Sequence, residues 1–131
     1  MMQLSLPLSP VAKDIGQRSY LSGLSAETGV ARLMQRRGHV LVAERWRGRG
    51  GEIDQIYRAG NVHVFVEVKK ARSFDAALRS LREAQMLRIH AAASEYLENT
   101  PDGQLSEVRF DLALVDQTGQ IKILENAFSH F

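Results

Sequence analysis

The sequence predicts a single α/β domain in which helices pack against one mixed β-sheet of about five strands. Three observations lead there. Residues 62–69 run apolar and β-branched with a period of two, and residues 74–98 carry a stripe at helical spacing. Two further strand-like runs follow Pro101 and Gly103. The inferred order is helix, three strands, long helix, two strands, which has too few alternating units for a doubly wound nucleotide fold. Turns at residues 59–61 and 116–119 join neighbouring strands as antiparallel hairpins, and these make the sheet mixed.

The 131 residues suffice for one domain with a real core, and 44% apolar with 24% charged content is that of a globular protein. Cysteine is absent, which excludes disulfides, a thiolate nucleophile and a cysteine zinc site, and agrees with a reducing compartment. Residues 1–10 hold Pro7 and Pro10 and no basic leader pattern, and no apolar run approaches the roughly 18–20 residues of a membrane span. A cytoplasmic protein with no membrane partner is therefore expected. The net charge is only +2, but twelve of the seventeen Lys and Arg fall in two windows. One holds Arg32, Arg36, Arg37, Arg45, Arg47 and Arg49; the other holds Lys69, Lys70, Arg72, Arg79, Arg82 and Arg88. They read either as a basic surface around the central acids, fit for nucleic acid, or as a solvated face of snorkelling arginines.

Residues 1–20 show no sustained period and read as a flexible N-terminal arm, leaving 21–131 as the domain. A helix is predicted from Ser25 to Arg37, capped by Ser22 or Ser25 and closed by Gly38. Leu24, Glu27, Ala31 and Met34 recur at three and four, so Glu27 lies on the apolar stripe. Its carboxylate there either meets a partner or favours the helix dipole from the first turn. A strand over His39–Trp46 follows, then the loop Arg47-Gly48-Arg49-Gly50-Gly51. That loop is either a flexible turn or a place where backbone and guanidinium approach an anion, although it lacks the Lys-Ser/Thr ending of a P-loop. Strands at 52–58 and 62–69 meet at Ala59-Gly60-Asn61. Within 74–98, Leu78, Leu81, Gln85, Ile89, Ala92 and Tyr96 trace one stripe, with Ala84, Leu87 and Ala91 beside it. Gln85 interrupts the stripe, and its amide is satisfied either by backbone or by a polar site. Strands at 108–115 and 120–124 complete the chain.

Alternation over 62–69 puts Val62, Val64, Val66 and Val68 on one face and His63, Phe65, Glu67 and Lys69 on the other. Glu67 and Lys69 are roughly 6–7 Å apart at Cα and point the same way, so they can share one small ligand. Asp54, on the neighbouring strand, supplies a second carboxylate. Hard cations such as Mg²⁺ or Mn²⁺ take oxygen ligands, and Glu27, Asp54 and Glu67 with the carbonyl of Val68 form a candidate set. A phosphate bound opposite the acids would have its charge neutralised by cation and lysine. Lys69 acts as a base only if its pKa falls by several units from about 10.4; otherwise it orients water and stabilises developing charge. Asp111 is expected to support structure by pairing with Arg109 or a loop arginine. The four histidines show no metal-ligand spacing, and Trp46, Tyr57 and Phe65 read as packing.

Gly51-Glu52-Ile53-Asp54, then Phe65-Val66-Glu67-Val68-Lys69, then Arg109-Phe110-Asp111 resemble, in order and spacing, the bacterial family YraN, also called UPF0102. The resemblance runs from Glu27 to Asp111. It implies a restriction-endonuclease-like fold of the PD-(D/E)XK superfamily, distantly similar to archaeal Holliday junction resolvases. It further implies a Mg²⁺- or Mn²⁺-dependent endonuclease acting on DNA, with branched or structured DNA as the candidate substrate. Asp54, Glu67 and Lys69 match the catalytic positions, and Glu27 matches a helix acid that assists the metal. The chain departs from the family pattern in carrying Gln85 where a basic residue is usual, in lacking an asparagine near Arg45, and in placing Arg72 one position late. Gln85 stays among the catalytic candidates because a glutamine in this region occurs in related nucleases. Arg45, Arg47, Arg49, Lys70 and Arg72 are the candidate nucleic-acid contacts. No element suited to base readout is evident, so backbone charge would dominate binding, and a two-fold junction would favour a homodimer. The alternative is a nucleic-acid-binding or interaction module that keeps the fold and cuts nothing; an RNA-processing nuclease is a third reading.

Overall fold

The computed structural model describes residues 11–129. Its elements are α1 (Val11–Arg36), β1 (Val40–Arg47), β2 (Glu52–Ala59), β3 (Val62–Lys70), α2 (Phe74–Arg79), α3 (Glu83–Leu97), β4 (Glu107–Val115) and β5 (Ile121–Leu124), with a 3₁₀ turn over Gly103–Leu105. One sheet holds the strands in the order β1-β2-β3-β4-β5. Its β1/β2, β2/β3 and β4/β5 pairs are antiparallel and β3/β4 is parallel. The parallel step is bridged by α2 and α3, since a hairpin cannot return a strand in the same direction. The predicted single mixed sheet is thus the observed one.

Two helix boundaries differ from expectation. The first helix starts at Val11, so Ser22 and Ser25 lie inside it rather than capping it. Serine costs little within a helix, and nothing between Val11 and Leu24 breaks one. Of the predicted arm, residues 1–10 lie outside the described residues. The helix ends as predicted: Gly38, at φ +90°, donates its N–H to Gln35 C=O at 3.0 Å, and His39 N–H reaches Met34 C=O at 3.1 Å. This is a Schellman closure, which favours glycine at the left-handed position.

The predicted helix over 74–98 is two helices. Ser80 Oγ donates to Ala77 C=O at 2.6 Å and Arg82 turns to an extended conformation, so a side-chain bond to the backbone ends α2 before α3 starts. The stripe divides accordingly. Ile89 and Ala92 are buried, whereas Leu78 and Leu87 are 45% and 54% exposed.

On one face of the sheet, Ala26, Val30 and Met34 of α1 pack on Tyr57, Val64, Val66, Ala113 and Val115. On the other, Ala77, Ile89, Ala92, Ala93 and Leu97 pack on Ile56, Phe65, Phe110, Leu112 and Leu114. The alternation read along β3 therefore holds. A buried relay ties α1 down: Tyr57 Oη donates to Gln55 Oε1 at 2.6 Å, and Gln55 Nε2 donates to Glu27 C=O at 2.8 Å. No described helix is long and apolar enough to cross a membrane.

Asp111 is fully buried on the α1 side. Arg109 grips it with two hydrogen bonds of 2.9 and 2.8 Å, and Asn126 N–H adds a third at 2.9 Å. The pair is structural, as expected. Removing one member of a buried ion pair strands its partners, so Asp111→Ala should lower stability by about 3–5 kcal/mol. Replacing both residues, Arg109→Met with Asp111→Leu, should recover most of that loss. Urea unfolding measures both, and a single-variant loss under about 1 kcal/mol would contradict the assignment.

Candidate functional site

The site forms where the β2–β3 ladder ends. Its last paired residues are Gln55 and Val66. Beyond them the Val68 N–H is satisfied by a side chain, donating to Asp54 Oδ2 at 2.8 Å. This bond holds Asp54 beside Glu67, which is 5% exposed. The Lys69 ammonium lies 3.4 Å from Glu67 Oε2, and Gln85 Nε2 donates to the same oxygen at 2.7 Å. Gln85 therefore interrupts its stripe because it serves a polar site. The cleft, about 230 Å³, is lined by Glu52, Asp54, Glu67, Gln85, Arg88 and Ile89.

Burial, and then the field of Asp54, push the Glu67 carboxyl up to about 8, and the Lys69 ammonium opposes them without cancelling them. Burial likewise raises Asp54 above the usual carboxylate range, against the Val68 N–H that favours its ionised form. Two apposed acids in a partly dry cleft cannot both ionise cheaply. Such a pair fits a hard divalent cation, which takes one or two carboxylates and completes its shell with water or phosphate. Among the described residues no three His, Asp or Glu side chains gather into one ligand group.

Glu27 accordingly stands apart from the other two acids. Its Oε1 lies 3.2 Å from Arg45 Nε and 3.1 Å from a terminal nitrogen of the same guanidinium. It lines a separate pocket with Leu24, Thr28, Glu44 and Arg45. Burial and then the Asp54 charge raise its pKa, so it feels Asp54 without a hydrogen bond to it. Arg45, at φ +52°, is thereby engaged with Glu27. Val68, expected to offer its carbonyl, contributes its N–H to the site.

The other expected nucleic-acid contacts differ in their surroundings. Arg47 pairs with Glu52 at 3.2 Å and remains 79% exposed. Arg49 is 85% exposed, with its guanidinium 3.6 Å from Glu95 and its own N–H donated to Glu95 Oε1 at 2.7 Å. Lys70 lies on the α1 side, in a pocket shared with Ser25, Thr28, Arg32 and Ile121. Arg72 is exposed just past β3. The glycine loop, which reads from sequence as a flexible turn or an anion contact, lies directly on α3. A Cβ at Gly50 would stand 2.9 Å from Ala91 Cβ, and one at Gly51 would stand 3.0 Å from the Arg88 carbonyl oxygen.

Three residues here are not among the individual site candidates of the sequence, although Glu52 stands in the family motif and Arg88 in a basic window. Glu52 shares a strand face with Asp54 two residues on, and Arg88 follows Gln85 by one helical turn, so both signals were present. Gln55 carried none, since a glutamine in a strand reads as solvent-facing.

A UPF0102 protein of Ruegeria pomeroyi is 56% identical over 115 residues, which cover 88% of this chain and 94% of the relative. One from Cereibacter sphaeroides is 51% identical over 114 residues, 87% of this chain and 97% of its own. Another, from Roseobacter denitrificans, is 44% identical over 124 residues, covering 95% and 96%. The model described as "Uncharacterised protein family UPF0102" matches residues 26–115, a span that contains the whole cleft. With most of its length matched by that model and by these relatives, the chain belongs to the UPF0102 family.

Proposed function

We infer that the cleft hydrolyses phosphodiester bonds of DNA, branched or otherwise structured, with Mg²⁺ or Mn²⁺ held by Asp54 and Glu67. One observation carries this reading: two carboxyls stand side by side, and a lysine ammonium lies 3.4 Å from one of them. The order Asp54, Glu67, Lys69, which resembles that of PD-(D/E)XK nucleases, supports it. A bound cation would supply Lewis acidity and neutralise charge at the phosphate. The chain's own groups prepare for that. Val68 N–H orients Asp54, Gln85 orients Glu67, and the Lys69 ammonium offers positive charge where the phosphate gains negative charge. A two-fold substrate such as a four-way junction calls for a homodimer. The rival reading, a nucleic-acid-binding module that cuts nothing, draws on the pairing of Glu27 with Arg45, which takes one of the three expected acids out of the cleft.

Cleavage of forked, four-way and linear DNA in Mg²⁺ or Mn²⁺ separates the two. The intact protein should cut a branched substrate, Asp54→Ala and Glu67→Ala should abolish cutting, and Lys69→Ala should slow it by about 100-fold or more. Salt-sensitive binding with no cutting in either metal leaves the module.

Stability should report the same acids. Glu67 titrates near 8 in the fold against a reference of 4.5, so its ionisation weakens the folded state. Its contribution is whole below the reference value and is lost as pH rises through the folded one. Urea unfolding of the metal-free protein from about pH 5 to about pH 9 should show this decline, and Glu67→Gln should flatten it. An unchanged slope in that variant would rule out Glu67 as the titrating group.

A further inference from the structure

The cleft wall contains one exposed cation that makes no hydrogen bond or ion pair among the described residues. Helix α3 places Arg88 one turn after Gln85, in the same cleft as Glu52, Asp54 and Glu67. Three other cations of this region are engaged: Lys69 with Glu67, Arg47 with Glu52, Arg49 with Glu95. Arg88 has no hydrogen bond or ion pair among the described residues. The cleft's acids are turned instead to one another, to Val68, to Gln85 and to Arg47. Nor is the arginine loosely rooted. The glycine loop backs onto it, and a Cβ at Gly51 would meet Arg88 Cβ at 3.2 Å and its carbonyl oxygen at 3.0 Å.

We propose that Arg88 is a phosphate-binding catalytic residue, which receives the scissile phosphodiester of a nucleic-acid backbone across the cleft from Lys69. The proposal rests on the hydrolytic reading above. In that reaction a water oxygen bonds to phosphorus as one P–O ester bond breaks. One proton of that water ends on the leaving oxygen, and the other stays on the new phosphate or passes to solvent. Negative charge grows on the non-bridging oxygens, and a guanidinium fork spans two of them where an ammonium reaches one. Lys69 from β3 and Arg88 from α3 then hold the phosphate from two walls. Gly51 is the positioning residue, because only a hydrogen there lets the loop lie against the arginine's stem.

The test uses the full chain and a labelled forked DNA duplex, with two readouts: single-turnover cleavage in Mn²⁺ at saturating protein, and the salt dependence of binding in EDTA. Arg88→Ala should lower the cleavage rate by about 100-fold. It should also reduce the slope of log affinity against log salt by about one, with the thermal midpoint unchanged. Arg88→Lys should restore the slope but not the rate, because it keeps the charge and loses the fork. A rate and slope in Arg88→Ala equal to those of the parent protein overturn the proposal. If the parent protein binds but cuts nothing, the hydrolytic reading fails and the slope alone decides: a fall of about one supports Arg88 as a phosphate ligand, and no change overturns it. Absence of binding overturns both.

Discussion

A main-chain amide without a main-chain partner shapes the cleft. The β2–β3 ladder stops at Gln55 and Val66, and the Val68 N–H beyond it must still be satisfied, since a buried donor left unpaired costs about 1–3 kcal/mol. Asp54 supplies the acceptor. In doing so it fixes its own side chain against Glu67, and the apposition of two acids follows from the need of one amide. Gln85 and Lys69 then hold Glu67 from the other side. The acidity of the site thus has a structural origin in the end of a strand pair.

The two layers keep that arrangement in place by different means. On the valine face, Gln55 and Tyr57 link β2 to the backbone of α1, and Arg109 with Asp111 anchors the segment after β5. On the opposite face the grip is aromatic. Phe65 stacks on Phe110 at 5.3 Å, His90 stacks on Phe110 at 4.1 Å, and Tyr96 meets Trp46 edge-on at 5.5 Å. His90 also bonds Phe128 C=O at 2.7 Å. Because His90 and Tyr96 belong to α3, these contacts set the rotation of that helix and so direct Gln85 and Arg88 to the cleft.

What was legible in the sequence follows from these forces. Both faces of β3 are packed, so it reads as a near-continuous apolar run, and strand geometry with the charges at the end of that run gives the shared direction of Glu67 and Lys69. Gln85 stood out as an anomaly, but only the tertiary fold shows what its amide meets. The break at Ser80 involves hydrogen bonds from its hydroxyl and its own N–H to Ala77 C=O, which leave no trace in a hydrophobic pattern. Glu27 shows the limit most clearly. Helical spacing gives its direction around the axis of α1, yet which strand residue faces it depends on Arg45, whose left-handed backbone no periodicity reveals.

The seat of the glycine loop on α3 has a consequence for how sequences of this fold can drift. Positions 50 and 91 share a single volume, since even one added carbon at the first would overlap the methyl of the second. Substitutions there are coupled: a side chain at 50 is tolerated only when 91 shrinks or the helix withdraws. Withdrawal would carry Gln85 and Arg88 away from the acids, so the width of the cleft is set in part by two small residues that lie outside it.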